Sequence, residues 1–202
     1  MSNKMTPLLL VISAPSGAGK SSLCNRLIEK FPAMVYSISC TTRAPRGNEQ
    51  NGVHYHFLSE AEFCARIDNG EFLEHALVHG NRYGTLKQTV YDALTKGRDI
   101  IMDIDVQGAQ QIRRACAAMA DDDAIKQSFV DIFIAPPSME ELRRRLCGRS
   151  TDSSEVIEKR MRNAADEMKH QPCYQYTVIN DNFEIAADEL AEIIAREHHN
   201  RW

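Results

Sequence analysis

A nine-residue segment near the N-terminus restricts the possible folds of this chain more than any other feature. Ala14 to Ser22 read APSGAGKSS, which matches the phosphate-loop pattern GxxxxGK[ST] except that Ala14 replaces the first glycine. In such a loop the backbone N–H groups point towards an anion, and the following helix adds its positive N-terminal end. The segment predicts a binding site for a nucleoside triphosphate, with a chance glycine-rich turn as the alternative.

The residues on either side of the loop provide the context that this pattern requires. Leu8 to Ser13 form a continuous apolar run, as expected for a buried parallel strand. Lys20 to Phe31 then have apolar residues at helical spacing. We therefore assign triphosphate binding to the whole loop, which consists of Ala14, Pro15, Ser16, Gly17, Ala18, Gly19, Lys20, Ser21 and Ser22.

Two side chains of the loop and one outside it are candidates for the chemistry around the phosphates. Lys20 would contact the β- and γ-phosphates, and the Ser21 hydroxyl would bind the Mg²⁺ that accompanies ATP. Asp103 ends the apolar run IIMD, where a carboxylate at the end of a parallel strand would hold the metal through water. Helix capping is the alternative role for Asp103 and for the nearby Asp105.

Composition narrows the classes of ligand and the cellular compartment. Lys and Arg number 24 against 28 Asp and Glu, and a net charge of -4 argues against a broad nucleic-acid-binding surface. The six cysteines are scattered without a CxxC pair, so we expect free thiols in a reducing cytoplasm. No apolar run approaches the roughly 18 residues that span a bilayer. These features predict a cytoplasmic protein, not bound to membranes, whose anionic ligands meet locally clustered arginines.

Short apolar segments alternate with helical patterns along the rest of the chain. Helical patterns begin near Val106, Ser138 and Phe183. The alternation predicts an α/β fold with a parallel sheet. The candidate strands of that sheet beyond the first are residues 36–39, 100–104, 130–134 and 177–179.

Two stretches differ from this alternation. Between Thr41 and Thr85, charged, aromatic and glycine residues are mixed, and candidate strands at 55–58 and 72–78 look antiparallel. We interpret this stretch as an inserted substrate-binding subdomain. Arg143 to Arg162 are dense in arginine and are interrupted by small and polar residues, which predicts a helix-turn-helix flap.

Motifs in a shared order along nearly the whole chain resemble those of guanylate kinases, the enzymes that phosphorylate GMP with ATP. They are VISAPSGAGKSSL, SISCTTRAPRGNEQNGVHYHF, GEFLEHALVHGNRYGT, MDIDVQG, FIAPPSMEELRRRLCGR and VIND. The resemblance implies a P-loop NTPase three-layer fold with a central parallel sheet, an inserted mixed α/β GMP-binding subdomain and a helical lid. It implies one domain over residues 1–202, divided into a core (6–40, 86–137 and 170–202), a GMP-binding subdomain (about 41–85) and a lid (about 138–169).

Four residues of the inserted stretch are candidates for binding the GMP phosphate. Arg43 and Arg46 stand three positions apart, and Tyr55 and Tyr83 follow in the same stretch. Guanidinium forks and phenolic donors suit a monophosphate, and each charged contact contributes about 1.5–3 kcal/mol. The resemblance implies that these four residues bind the GMP phosphate, whereas a solvated pair of surface arginines is the alternative.

Guanine has a chemical feature that one carboxylate can recognise. Its N1–H and 2-amino groups are adjacent donors, whereas adenine has an acceptor at N1 and no 2-amino group. By resemblance Glu74 reads guanine, Ser39 and Thr85 contact the base, and Asp105 is a further carboxylate near the nucleoside. Polar groups left unpaired by adenine would discriminate by about 10⁴-fold. GMP, and with it dGMP, is therefore the expected acceptor, and AMP is not.

Cations and alignment, rather than covalent help from the protein, stabilise phosphoryl transfer. The resemblance implies that the catalytic residues are Lys20, Arg46 and the lid arginines Arg145, Arg149 and Arg160. We assign no general base, because the accepting phosphate is already ionised at neutral pH.

Other interpretations remain open at this point. A guanylate-kinase-like interaction module that binds phosphorylated peptides is the principal rival, but such modules lose the phosphate loop that this chain keeps. A kinase for another nucleotide is a second rival. His54 with His56, and His198 with His199, are weak candidates for metal binding. Ala117 to Ser128 form an acidic insertion that we interpret as a surface loop, and an oligomer contact or a regulatory role there stays open.

Overall fold

The fold is described from a computed structural model, in which residues 6–78, 80–148 and 153–201 are described. The elements follow in chain order as β1 Leu9–Ser13, α1 Lys20–Lys30, β2 Val35–Tyr36, β3 Cys40–Thr41, β4 His56–Phe57, α2 Glu60–Asp68, β5 Phe72–Val78, β6 Asn81–Leu86, α3 Lys87–Thr95, β7 Ile100–Asp103, α4 Val106–Ala118, α5 Ala124–Ser128, β8 Phe129–Ala135, α6 Met139–Cys147, α7 Ser154–Met168, a 3₁₀ turn Gln171–Cys173, β9 Tyr176–Ile179 and α8 Phe183–Asn200.

Five parallel strands form the central sheet in the order β2-β7-β1-β8-β9, which confirms the predicted α/β fold with a parallel sheet. In the register of β1 with β7, Ile12 lies opposite Asp103. The loop that follows β1 and the carboxylate that ends β7 therefore lie at the same edge of the sheet. Ligands of open α/β sheets bind at this carboxyl edge.

The apolar run of β1 is buried on both of its faces. Leu8, Leu10 and Ile12 pack with residues of α1 and α8 on one face of the sheet. Leu9 and Val11 pack with residues of α3 and α4 on the other face. Full burial of each such side chain contributes roughly 1.5–3 kcal/mol. Helices on both faces give the three layers that the resemblance implies, with the phosphate loop leaving the most buried strand.

A second sheet of four strands, in the order β4-β3-β6-β5, forms the inserted stretch. Strand β5 pairs with β6 in antiparallel orientation, as predicted. Strand β4 pairs with β3 in parallel orientation, so the antiparallel prediction is wrong there. A separate small cluster, Cys40, Phe63 and Phe72, forms the core of this sheet, and the two phenylalanine rings stack 4.4 Å apart.

The connection between the two sheets accounts for one wrong strand prediction. Residues 36–39 were expected to be a strand, but β2 ends at Tyr36. Ser37 N–H still donates to Ile101 O of the central sheet, whereas Ser39 O accepts from His56 N–H of the second sheet. The segment passes from one sheet to the other, and no longer strand can form along it.

Helix starts follow the capping residues that the sequence contains. Ser59 and Glu62 form the predicted capping box at α2. At α6 only one half of the box is present, because Ser138 accepts from Glu141 N–H while the Glu141 carboxylate binds Arg144 and Arg145. Helices α6 and α7 share a small cluster of buried residues, namely Leu142, Leu146, Met161 and Ala164. They form the two arms of the predicted flap.

The acidic insertion is more ordered than the surface loop that we expected. Its first residues end α4 and its last five form α5, whose start is capped by the Asp123 carboxylate. Ile125 is fully buried against α3 and α4, and Tyr91 OH donates to Asp123 at 2.7 Å. One buried isoleucine therefore fixes the insertion to the core. Among the described residues, no helix combines the length and apolarity needed to span a membrane.

Candidate active site

The phosphate loop has the backbone geometry that its glycines allow. Gly17 and Gly19 have φ angles of 95° and 93°, a left-handed conformation that favours glycine. A Cβ on Gly19 would lie 2.4 Å from Asn180 Nδ2, and one on Gly17 would lie 2.9 Å from Leu146 Cδ2. Ala14 instead packs into the main core cluster, 6% exposed, where a methyl group is accommodated. The departure at Ala14 therefore leaves the loop intact.

A cavity of about 340 Å³ lies over this loop. Eight of the nine predicted loop residues line it, and two carboxylates from other elements, Asp105 and Glu167, complete the lining. Ala18 does not line the cavity. Its side chain is buried, its N–H donates to Pro15 O, and its carbonyl accepts from Asn180 Nδ2 at 2.7 Å. Ala18 therefore supports the loop from behind.

Asp103 organises the side chains next to the loop. Lys20 Nζ lies 2.6 Å from Asp103 Oδ1, and it also donates to Ile104 O at 2.6 Å. Ser21 Oγ donates to Asp103 Oδ2 at 2.8 Å. Tyr36 OH donates to the same oxygen at 2.9 Å. Asp103 therefore gathers the three groups, whereas Asp105 is the N-cap of α4 and accepts from Gly108 N–H at 2.8 Å.

The structure describes two of the three predicted lid arginines, Arg145 and Arg160. Arg145 Nε donates to Glu141 at 2.8 Å, and its Nη1 donates to Asn180 O at 2.9 Å, so it reaches the end of β9 beside the loop. Arg160 is half-buried on α7. Arg149 lies outside the described residues. Hydrogen bonds from Arg144 and Arg145 lower the pKa of Glu141 to about 2, so this carboxylate stays ionised beside them.

The structure brings together three of the four residues predicted to bind the phosphate of the acceptor, namely Arg43, Tyr55 and Tyr83. Arg43 is 8% exposed, and its guanidinium lies 5.3 Å from the centre of the Tyr55 ring. The Tyr55 and Tyr83 rings are 6.1 Å apart, so the structure brings these three residues together. Arg46 is exposed and does not join them.

Glu49 is a member of this group that the sequence did not reveal. Both of its oxygens accept from the Arg43 guanidinium at 2.9 Å, and it also accepts from Arg46 N–H at 2.8 Å. Hydrogen bonds from Arg43 lower the pKa of Glu49 to about 2. The bidentate pair therefore holds the Arg43 fork in one orientation.

A second cavity, of about 310 Å³, lies between the two sheets. Ser39, Tyr55 and Thr85 line it from the second sheet. Tyr36 and Asp103 line it from the central sheet. Asp103 therefore touches Lys20 and Ser21 of the phosphate loop and also borders this second cavity. The two halves of the candidate site meet at one carboxylate.

Glu74 lies at the inner side of the second sheet, and it is 6% exposed. Burial, together with the charge of Asp105, raises the pKa of Glu74 from 4.5 to about 7. Thr85 lies opposite it in the β5–β6 register, and hydrogen bonding from Thr85 partly offsets this rise in the pKa. The pair is therefore suited to a ligand with hydrogen-bonding groups.

The donor set next to the loop suits a hard cation. Mg²⁺ prefers one or two protein oxygens together with nucleotide phosphates and water, and Ser21 Oγ with Asp103 supplies such a pair. In the described part of the chain, no group of three or more His, Cys, Asp or Glu residues would hold a metal by itself. His198 instead lies between Thr6 O and Asp99, and His54 Nδ1 accepts from Gln50 N–H.

Three comparisons with known proteins agree with this geometry. The sequence model of the guanylate kinase family matches residues 5–197. Guanylate kinase of Geobacter metallireducens is 45% identical over 96% of this chain and 91% of its own length. Guanylate kinase of Dechloromonas aromatica is 48% identical over 92% of this chain and 87% of its own. The crystal structure of guanylate kinase from Anaplasma phagocytophilum covers 96% of this chain and 88% of its own, with a TM-score of 0.72 and 35% identity.

Proposed function

The chain belongs to the guanylate kinase family, whose reaction is the transfer of the γ-phosphoryl group of ATP to GMP, and we propose how its residues carry this reaction out. The observation that supports the proposal most strongly is the position of Asp103. It contacts Lys20 and Ser21 of the triphosphate loop and borders the cavity that Ser39 and Thr85 line. ATP occupies the first cavity and GMP the second, so the triphosphate of ATP and the single phosphate of GMP meet beside Asp103.

Lys20 is the main catalytic cation on the donor side. Its ammonium leaves Asp103 for the β- and γ-phosphates, where it offsets the charge that spreads over the transferred group. The backbone N–H groups of the loop hold the remaining phosphate oxygens. Because the GMP phosphate is already ionised, its oxygen attacks without a general base.

Ser21 and Asp103 would hold Mg²⁺, Ser21 through its hydroxyl and Asp103 through water. When bound with ATP, Mg²⁺ would supply positive charge that offsets the charge of the phosphates. When the Lys20 ammonium moves to the phosphates, the Asp103 carboxylate is released from this ion pair and would then be available to hold Mg²⁺. Removal of divalent metal with EDTA is expected to stop turnover.

On the acceptor side, Arg43, Tyr55 and Tyr83 bind the GMP phosphate, and Arg46 joins them as the substrate enters. The Arg43 fork is already oriented by Glu49, which lowers the entropy cost of binding a phosphate. Glu74 in its ionised form accepts from N1–H and the 2-amino group of guanine. Ser39, Thr85 and Asp105 complete the nucleoside contacts.

The lid arginines Arg145, Arg149 and Arg160 reach the transferred phosphate when α6 and α7 close. Closure over both nucleotides excludes water and so prevents hydrolysis of ATP. We propose that residues 138–169 and 41–85 move as two units against the rest of the chain. The free cysteines agree with a reducing compartment, and we propose a cytoplasmic location with ATP, GMP and dGMP as the small-molecule substrates.

The proposal is tested by a coupled assay of ADP formation with ATP and one acceptor at a time. GMP and dGMP are expected to be phosphorylated, whereas AMP and UMP are expected to give at least about 10⁴-fold lower kcat/KM. Comparable turnover of AMP would contradict the assignment of Glu74 and Thr85. Absence of GMP turnover with Mg²⁺ present would contradict the proposed site as a whole.

A further inference from the structure

Helix α4 holds strand β5 by a pair of hydrogen bonds that the mechanism above does not use. Gln111 Oε1 accepts from His75 N–H at 3.1 Å, and Gln111 Nε2 donates to His75 O at 2.9 Å. Strand β5 is an edge strand of the four-stranded sheet, and the side-chain amide satisfies the backbone of His75 as a neighbouring strand would. We propose that Gln111 is a positioning residue for base selection, because it fixes the strand that carries Glu74.

The two hydrogen bonds lie next to an irregularity in the pairing of β5 with β6. The pairing of β5 with β6 shifts register between Phe72 and Glu74, so the ladder is irregular just before the carboxylate. His75 is the next residue, and Gln111 binds its N–H and its C=O from the open side of the sheet. Without these bonds, the strand beside Glu74 would keep its pairing with β6 and the packing of Leu73, but it would lose its hydrogen bonds on the open side of the sheet. Gln111 therefore controls the position of the Glu74 side chain relative to Thr85.

The same face of α4 also leaves room for the carboxylate. Gly108 lies one turn before Gln111, and a Cβ there would be 3.2 Å from Glu74 Oε2. Asp105 accepts from Gly108 N–H and fixes the start of the helix. Helix α4 therefore binds the backbone of β5 through Gln111. One turn earlier, at Gly108, it leaves space for the Glu74 carboxylate. This inference rests on the role of Glu74 proposed above.

A positioning role and a merely structural one give different kinetics. Inosine monophosphate keeps the N1–H of GMP and lacks the 2-amino group, so the preference for GMP measures how well the carboxylate is aligned. Loss of stability would affect both acceptors and ATP alike. Loss of alignment would reduce the preference and leave ATP binding unchanged. The ratio of kcat/KM for the two acceptors is therefore the informative quantity.

The test is Gln111→Met, which keeps the length of the side chain and removes both hydrogen bonds. Gln110→Met is the matched control, because Gln110 is the adjacent, exposed residue of the same helix. We expect Gln111→Met to raise the KM for GMP about tenfold and to lower the preference for GMP over inosine monophosphate about fivefold, with the KM for ATP within about twofold. Gln111→Glu keeps the acceptor for His75 N–H, and we expect an intermediate effect.

Gly108→Ala is a second variant that is expected to fold, since alanine favours the helix, yet it crowds the Glu74 carboxylate. A lowered preference for GMP is expected here as well. An unchanged preference in Gln111→Met would overturn the positioning role, whatever the result for Gly108→Ala. So would equal rises in the KM for GMP and for ATP. If Glu74→Gln also keeps the wild-type preference, the role of Glu74 fails; if only Glu74→Gln loses it, the positioning role alone fails.

Discussion

The two halves of the site are built in different ways. The proposed donor half is a contiguous loop that follows the buried strand β1, and we expect its binding groups to be mostly the backbone N–H groups of the turn formed by Gly17 and Gly19. The acceptor half collects side chains from separate strands and turns of a small second sheet. Backbone binding fits any triphosphate, whereas placed side chains distinguish one base from another. We therefore expect the acceptor half, whose sheet has the smaller buried cluster, to determine substrate identity.

The largest expected effect comes from removing the cation of the donor half. Lys20→Met is expected to lower kcat by about 10³-fold or more, because the transferred group loses its nearest protein charge. Circular dichroism is expected to remain that of the wild type. Lys30→Met is the control, since Lys30 ends the same helix and pairs with Asp188 at the surface. A Lys20→Met variant with kcat within tenfold of wild type would remove this residue from the mechanism.

On the acceptor half, Glu74→Gln is expected to lower kcat/KM for GMP about 10²-fold, because the amide supplies one acceptor and one donor to two guanine donors. The KM for ATP is expected to stay within about twofold. Glu71→Gln is the control, because Glu71 lies three residues earlier and pairs with Arg66 at the surface. Equal losses for GMP and ATP would show that the two halves are not separable in this way.

The same carboxylate predicts a pH dependence confined to the acceptor half. Because burial raises the pKa of Glu74 to about 7, the fraction that is ionised and able to read guanine falls as the pH falls. The KM for GMP is expected to rise about tenfold from about pH 8 to about pH 6. Glu74→Gln is the control, since it keeps the titration of the GMP phosphate and removes that of Glu74. An identical pH profile in both proteins would contradict the prediction.

Stability of the ligand-free protein is expected to respond in the opposite sense. The folded protein binds the Glu74 proton more tightly than the unfolded chain, in which the pKa is 4.5. Between these two pKa values the folded state carries more protons, so the free energy of unfolding falls as the pH rises. Urea denaturation of wild type and Glu74→Gln across this range measures the difference.

The smallest expected effect concerns the junction of the two halves. Tyr36→Phe removes the hydrogen bond to Asp103 and keeps the ring, and kcat is expected to fall about threefold. Tyr91→Phe removes a similar bond, to Asp123 at the far side of α3, and kcat is expected to stay unchanged. Equal kcat values for the two variants would indicate that Tyr36 does not support Asp103 during turnover.

Much of the fold could be predicted from sequence wherever a pattern is local and long enough. The apolar run before the loop predicted β1, and the starts of α4 and α8 at Val106 and Phe183 are confirmed. Two-residue strands such as β3 and β4 have no periodicity to detect, and their pairing depends on the other sheet strands. In the insertion, Ile125 gave no signal that it is buried, because the acidic residues around it are typical of a loop.

The site shows the same limit. The phosphate loop is a contiguous pattern that a sequence can reveal, whereas the acceptor residues remain predictions that rest on the resemblance. The supporting contacts join residues that are distant in sequence: Gln111 and His75 are 36 positions apart, and Asn180 and Ala18 are 162 apart. Glu49 is only six positions from Arg43, but a carboxylate in a charged stretch has many equivalent neighbours. Such pairs are determined by tertiary packing.

The separate small core of the second sheet has a consequence for how the protein responds to heat. Its buried cluster consists of Cys40, Phe63 and Phe72, with the partly buried Leu58, Ile67 and Leu86 packed against them, whereas β1 is enclosed by helices on both faces. Regions with few buried apolar contacts open at lower free energy than the rest of a protein. Warming is therefore expected to disorder the acceptor sheet first. At such temperatures the chain would still take up ATP, with no partner for the phosphoryl group.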